Sequence, residues 1–154
     1  MFRAWFKVAL VIILFNESLS NESLKKGLES ARGLYLDPLK SYNSKIVLVT
    51  AANYGYLNHL NNFWCFTTDR LGLKFLTISL DDKLYQHLLK DPRMISAYIP
   101  DKNVTLKSTN FRSDEFNVVT KAKQIAVLHI LKYGYSIFFS DVDVVLTQDP
   151  VSIT

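Results

Sequence analysis

The sequence has almost no cysteine, no cluster of basic residues and no long apolar run. Cys65 is the only cysteine in 154 residues, so no disulfide can form within the chain and stability must come from packing. Cys65 lies in an amphipathic segment and is predicted to be a buried core thiol rather than a nucleophile. The net charge is +4, but the basic residues are scattered, which argues against a nucleic-acid-binding surface.

The first 20 residues have the pattern of a secretory signal. Arg3 and Lys7 precede the apolar run Val8–Phe15, and the small residues Ser18 and Ser20 follow it. Because eight apolar residues are far fewer than the roughly 20 that span a bilayer, a cleaved signal is favoured over a membrane anchor. An uncleaved type II anchor stays open, since apolar residues before the run lengthen the segment. Either form predicts the secretory pathway, in the lumen of the endoplasmic reticulum or Golgi.

The region after the signal is predicted to be a stem, residues 21–44, with one short helix. The folded domain is then expected to cover residues 45–154. Three N-x-S/T triplets, at Asn16, Asn21 and Asn103, are candidate glycan acceptors and agree with a lumenal location.

From Lys45 onward, short apolar segments alternate with helical patterns. Strands are predicted at Lys45–Thr50, Lys74–Asp81 and Tyr135–Ser140, with a weaker one at Ala97–Ile99, and helices at Leu57–Arg70, Asp82–Lys90 and between Ser113 and Gly134. This alternation predicts an α/β domain with a mostly parallel sheet flanked by helices. Ligands of such sheets bind outside the carboxyl ends of the strands, where the segments "TAANYGY", "LDDK" and "SDVD" should meet.

Asp141 and Asp143 follow the last predicted strand directly, in "FFSDVDVV". Two carboxylates that close repel each other unless a cation, a proton or a hydrogen-bond donor lies between them. Hard oxygen ligands favour Mg²⁺ or Mn²⁺, which usually bind through one or two carboxylates together with phosphate oxygens. The pattern therefore predicts a metal–diphosphate site, with a solvated turn or a helix N-cap as the alternative.

The ordered combination of "IVLVTAANYGYLNHLNNFWCFTTDRLGL", "FLTISLDD" and "LKYGYSIFFSDVDVVLTQDP" resembles a known family. It is similar to the nucleotide-diphospho-sugar transferase domain of Golgi-type glycosyltransferases, which include plant arabinosyl- and xylosyltransferases. The resemblance runs from about Lys45 to Pro150. It implies the Rossmann-like GT-A fold and metal-dependent transfer of a sugar from a nucleoside-diphosphate sugar to a glycan or glycoprotein acceptor.

The resemblance also implies roles for individual residues. Asp143 would bind the metal directly, with Asp141 contacting the ribose or the metal shell, and Lys121 could meet a phosphate. The residues near the nucleotide base would be Thr50, Tyr54 and Asp81. From the residues alone, an exposed surface position for Lys121 and a structural position for Tyr54, over the sheet edge, stay open. His129 is predicted to be a partly buried structural histidine rather than a ligand.

The sequence departs from the family pattern at Leu146, where a large aromatic residue is common, and at Gln148, where a basic residue is frequent. Because the chain ends at Thr154, it is expected to be a truncated form that holds the donor-binding half. Two alternatives stay open: a catalytically inactive lumenal binding module or scaffold, and a haloacid-dehalogenase-like phosphatase. In the phosphatase, Asp141 would be the nucleophile and Asp143 the acid/base.

Overall fold

The computed structural model describes residues 21–31 and 46–150. The predicted signal, most of the predicted stem and the last four residues lie outside the described residues. The elements are α1 at residues 21–31, β1 at Ile46–Ala52, α2 at Leu57–Trp64, β2 at Leu76–Ser79, α3 at Asp82–Leu88, β3 at Ile95–Tyr98, α4 at Asp114–Lys132 and β4 at Ser136–Phe139.

The strands form a four-stranded, all-parallel sheet in the order β3-β2-β1-β4. Ladder partners include Thr50 with Thr77, Ile78 with Ala97, and Val49 with Phe139. The predicted α/β class with a parallel sheet is confirmed. The chain leaves β1 toward β2 on one side and returns to β4 on the other, so the strand order reverses between β1 and β4. Such a reversal is where doubly wound α/β sheets bind ligands.

Both faces of the sheet are covered, which explains the continuous apolar run in β1. On one face Val47, Val49 and Ala51 pack in a cluster with α1 and α4. On the other face Leu48 and Ala52 pack with α2 and α3. Every residue of β1 after Ile46 is buried. Packing on both faces therefore fixes the register of the strand and the position of its carboxyl end.

The helix of the predicted stem belongs to the folded core. Leu24, Leu28 and Ala31 of α1 are at most 2% exposed and join the cluster on the α4 side of the sheet. A Cβ at Gly27 would lie 2.8 Å from Leu76 Cδ1, so glycine allows α1 to approach the sheet closely. The Tyr98 amide also donates to Ser23 Oγ at 2.9 Å. Tertiary packing therefore extends to Leu24, 21 residues before the predicted domain start at Lys45.

The predicted helix Leu57–Arg70 divides into α2 and a π-helical turn, Cys65–Arg70. Its buried side is Leu60, Phe63, Trp64 and Thr67. Cys65 is exposed, and the prediction of a buried thiol is wrong. The reason is helical spacing. Cys65 lies three residues after Asn62 and seven after Asn58, so it is on the same solvent-exposed side of the helix.

Helix α4 begins and ends where its capping residues predicted. Ser113 Oγ accepts a hydrogen bond from the Phe116 amide at 3.1 Å, as an N-cap does. Hydrogen bonds from its own backbone and from Ser113 lower the pKa of Glu115 in the first turn. At the other end, Gly134 has a φ of 77°, the left-handed conformation that closes a helix. The turn sends the chain directly into β4.

Candidate active site at the ends of β1 and β4

The candidate site lies at the carboxyl ends of β1 and β4, on either side of the strand-order reversal. The Ser140 amide donates to the Val49 carbonyl at 3.0 Å, so the pairing continues one residue beyond β4. The next four residues form a turn, which we call the acidic turn (Asp141–Val144). Its closing hydrogen bond runs from the Val144 amide to the Asp141 carbonyl at 3.4 Å.

Both carboxylates of the acidic turn are exposed, and the residue between them is buried. Val142 is 6% exposed and packs in the cluster of α2 and α3. Asp141 and Asp143 are exposed on either side of it. Because an apolar anchor holds the middle of the turn, the two charges are presented to solvent by a fixed backbone rather than a free loop.

Asp141 is paired with a lysine that sequence reasoning did not single out. Lys123 Nζ lies 2.5 Å from Asp141 Oδ1, with 24% of the lysine side chain and 51% of the aspartate side chain exposed. Lys123 lies four residues after Val119 and three before Ala126, both buried on the sheet-facing side of α4. This spacing places Lys123 at the margin of the packed side, beside the strand ends.

Lys121, the lysine predicted from the family resemblance, is exposed. It lies four residues before Ile125 and seven before Leu128, which are 38% and 49% exposed. Among residues 21–31 and 46–150 it makes no hydrogen bond or ion pair. The sequence signal for a lysine near the strand ends was the spacing of Lys123 from the apolar positions Val119 and Ala126.

Asp143 has no ion-pair partner among residues 21–31 and 46–150. It lies at a cleft of about 200 Å³ between the acidic turn and α2. The cleft is lined by His59, Asn62, Phe63, Phe66 and Val142–Val145. No role was predicted for His59 or Asn62, since only the fold brings α2 beside the acidic turn.

The chemistry of the acidic turn fits a divalent cation that brings further ligands of its own. Lys123 is paired with Asp141, and Asp143 has no counter-ion among the described residues, so the acidic turn keeps an uncompensated negative charge. In the described part of the chain, no group of three or more His, Cys, Asp or Glu side chains could hold a metal. Mg²⁺ and Mn²⁺ accept such a partial set, because they usually keep waters or bind substrate phosphates.

Asp81 lies at the end of β2, and backbone groups occupy its carboxylate. Oδ1 accepts from the Leu84 amide at 2.9 Å, which caps α3, and Oδ2 accepts from the Tyr54 amide at 2.5 Å. The side chain is 7% exposed. Asp81 therefore ties the turn after β1 to the start of α3.

Tyr54 and Thr50, also predicted near the nucleotide base, have different surroundings. Lys83 Nζ lies 4.0 Å from the centroid of the Tyr54 ring, and the His87 ring is nearly perpendicular to it at a centroid distance of 6.2 Å. Tyr54 is half-buried at the sheet edge, beside Asp81. Thr50 is fully buried, and its hydroxyl has no hydrogen-bond partner within the described residues. The structure thus brings Tyr54 and Asp81 together and leaves Thr50 below the surface.

A loop that we call the covering loop (residues 100–112) folds over the end of β1. Asn53, fully buried, donates from Nδ2 to the carbonyls of Thr105 and Lys107. The Tyr56 hydroxyl hydrogen-bonds to Thr109. A Cβ on Gly55 would collide with the backbone of Lys107 and Ser108, so glycine is required here for the close approach of the covering loop.

A larger cleft of about 430 Å³ lies at the end of α3 and shares no lining residue with the acidic turn. It is lined by His87, Lys90, Asp91, Pro92 and Arg93. Hydrogen bonds from Arg93 lower the pKa of Asp91 to about 2. The lining of this cleft has two cationic side chains and a single carboxylate, which Arg93 already pairs, so it offers no free carboxylate to a metal, and size alone does not make it the site.

Comparison with known proteins assigns the chain to a family, and the matched region contains the acidic turn. The profile of the nucleotide-diphospho-sugar transferases matches residues 73–154, more than half of the chain. The chain belongs to the nucleotide-diphospho-sugar transferase family. The match includes β2, α4, β4 and the acidic turn, and the predicted resemblance is confirmed.

Two relatives of this chain come from Arabidopsis thaliana. It is 34% identical over 118 residues to the β-arabinofuranosyltransferase RAY1, covering 75% of this chain and 22% of the relative. It is 33% identical over 110 residues to UDP-D-xylose:L-fucose α-1,3-D-xylosyltransferase 3, covering 70% of this chain and 28% of that protein. The chain thus spans about a quarter of the length of these relatives. No solved structure matches it significantly.

Proposed function

We propose that the chain binds a nucleoside-diphosphate sugar together with Mn²⁺ or Mg²⁺ at the ends of β1 and β4. It would serve as the donor-binding part of a glycosyltransferase that acts on a glycan or glycoprotein acceptor. The observation that carries the proposal is the acidic turn, which presents two carboxylates at the strand-order reversal in a chain of this family. The names of both relatives describe sugar transfer, and one of them names a UDP-sugar donor.

The chain's own residues would divide the work of donor binding. Asp143, which has no counter-ion among the described residues, would hold the metal, and Asp141 would contact the metal shell or the ribose. When bound, the metal supplies Lewis-acid stabilisation of the charge that develops on the leaving diphosphate. Asp81 and Asn53 hold the turn after β1 and the covering loop in place, and Tyr54 lies at the sheet edge where a base could approach.

A second candidate is donor binding without turnover. The chain spans 22% and 28% of the two relatives, whose activities belong to much longer proteins. An assay for sugar transfer and for hydrolysis of the sugar nucleotide separates the two candidates, because a binding module would release the donor unchanged. The family assignment disfavours the phosphatase alternative, in which Asp141 would become covalently phosphorylated.

We further propose that the protein works in the lumen of the secretory pathway. Asn103 is exposed in a turn at the protein surface, where an oligosaccharide could be attached. Within the described residues no helix is long and apolar enough to cross a membrane. The predicted signal or anchor lies outside those residues, so membrane association remains a prediction. Expression in a eukaryotic host, followed by enzymatic removal of N-linked glycans, would test lumenal entry through a mobility shift that Asn103→Gln reduces.

Thermal denaturation with Mn²⁺ and UDP tests the binding proposal directly. A ligand that binds only the folded state raises the melting temperature. At a ligand concentration a hundred times Kd, binding adds about 2.7 kcal/mol to the free energy of unfolding. We expect Mn²⁺ and UDP together to raise the melting temperature of the wild type, and Asp143→Asn to remove most of that rise. Asp69→Asn, at an exposed position outside the site, is the matched control and should retain it. An equal loss in both variants, or no rise in the wild type, would contradict the proposal.

A further inference from the structure

Lys123 already neutralises one of the two carboxylates that the proposed metal needs. Its ammonium lies 2.5 Å from Asp141, whereas Asp143 has no counter-ion in the described part of the chain. A divalent cation that approaches the acidic turn alone must therefore compete with Lys123 for Asp141 and come close to a second positive charge.

We infer that Lys123 couples metal binding to nucleotide binding by exchanging Asp141 for the diphosphate. This inference rests on the proposed function. In the free protein Lys123 holds Asp141, which weakens binding of the metal alone. When the nucleotide arrives, the ammonium moves to a phosphate oxygen, and Asp141 becomes available to the metal. Each ligand thereby favours binding of the other.

The position of Lys123 suits such an exchange. The backbone of α4 is fixed beside Lys123, because Val119 and Ala126 pack against the sheet at 4% and 1% exposure. The lysine side chain is 24% exposed and Asp141 is half exposed, so the pair is open to ligands in solution. A lysine has a flexible four-carbon stem and a compact charge, which allows its ammonium to change partner while the helix stays in place.

The signs of the charges make the inference testable. With the metal alone, Lys123 adds repulsion, and its removal should strengthen metal binding. With the metal present, UDP brings a net negative charge toward the acidic turn, and removal of Lys123 should weaken UDP binding. Binding free energies are reciprocal, so the factor by which UDP strengthens metal binding equals the factor by which the metal strengthens UDP binding. Loss of Lys123 should lower both factors equally.

The experiment measures two affinities by isothermal titration calorimetry: Mn²⁺ without nucleotide, and UDP with Mn²⁺ in excess. Lys123→Met should bind Mn²⁺ alone about twofold to fivefold more tightly and UDP about twofold to fivefold more weakly, the range of a partly exposed ion pair. Lys123→Arg keeps the charge and should stay close to the wild type. Lys132→Met makes the same change at an exposed position of the same helix and should alter neither affinity.

Opposite changes in the two affinities support the inference, since a merely structural loss would weaken both. The inference is overturned if Lys123→Met weakens both affinities equally or changes neither. It is also overturned if Lys121→Met, and not Lys123→Met, strengthens Mn²⁺ binding and weakens UDP binding. Melting temperatures without ligand confirm that each variant is folded. If the wild type binds no UDP in the presence of Mn²⁺, the proposed function itself fails. If the wild type binds UDP and Lys123→Met behaves identically, the coupling alone fails.

Discussion

The Asp81 carboxylate connects two segments of the scaffold. The family resemblance implies a position near the nucleotide base, and that role stays a prediction. Both carboxylate oxygens accept backbone hydrogen bonds, from Leu84 in the first turn of α3 and from Tyr54 after β1. An amide buried without a partner costs free energy, so this carboxylate stabilises two segments at once.

We expect Asp81→Ala to lower the free energy of unfolding by about 2 to 4 kcal/mol. The loss of the N-cap accounts for about 1 kcal/mol, and the Tyr54 amide left without a partner for about 1 to 3 kcal/mol. Ser113→Ala removes an N-cap and a hydrogen bond to the exposed Glu115, and it should cost about 1 kcal/mol. Urea denaturation measures both, and equal losses in the two variants would show that the bond to Tyr54 contributes nothing.

At the scale of elements, the covering loop and the turn after β1 depend on each other. Asn53 and Tyr56 hydrogen-bond the loop backbone and its Thr109, and Gly55 lies against its backbone. Long loops on α/β domains are often functional, and this one closes over the end of the strand that borders the candidate site. Its conformation therefore limits the space above β1.

Gly55→Ala should lower the free energy of unfolding and also make the covering loop more accessible to protease. The added methyl group would displace the Lys107–Ser108 backbone, with a cost of about 1 to 3 kcal/mol for overpacking. Limited proteolysis with trypsin should then cut after Lys107 faster than in the wild type. Gly134→Ala strains a left-handed glycine far along the chain, where a Cβ meets nothing. If that control exposes Lys107 equally, general destabilisation rather than the local contact explains the cleavage.

At the scale of the whole molecule, α1 makes the domain longer than the sequence pattern indicated. Its buried leucines complete the layer beside α4. We expect Leu28→Ala to destabilise the protein by about 2 to 5 kcal/mol, as truncation of a buried leucine does. Leu89→Ala, at a position that is 56% exposed, should change stability by less than about 0.5 kcal/mol. A neutral Leu28→Ala in chemical denaturation would mean that α1 is the free stem that the sequence suggested.

The local elements were predictable because their signals are local. The apolar runs of β1 and β4, the Ser113 cap and the Gly134 turn depend on neighbours within a few residues, and the structure confirms them. The exposure of Cys65 was also predictable, since its helical spacing from Asn58 and Asn62 places it on the polar side of the helix. That error came from classing the residue by type instead of by position on the helix.

The sequence by itself determined the α/β class, the order of strands and helices along the chain, and the place of Asp141 and Asp143 at a strand end. Only the tertiary structure decided that β4 lies beside β1, that α1 completes the core, and that Lys123 contacts Asp141. The physical reason is distance along the chain. Helical and strand patterns arise from interactions between near neighbours, whereas strand order and the Lys123–Asp141 contact depend on packing between segments far apart in sequence.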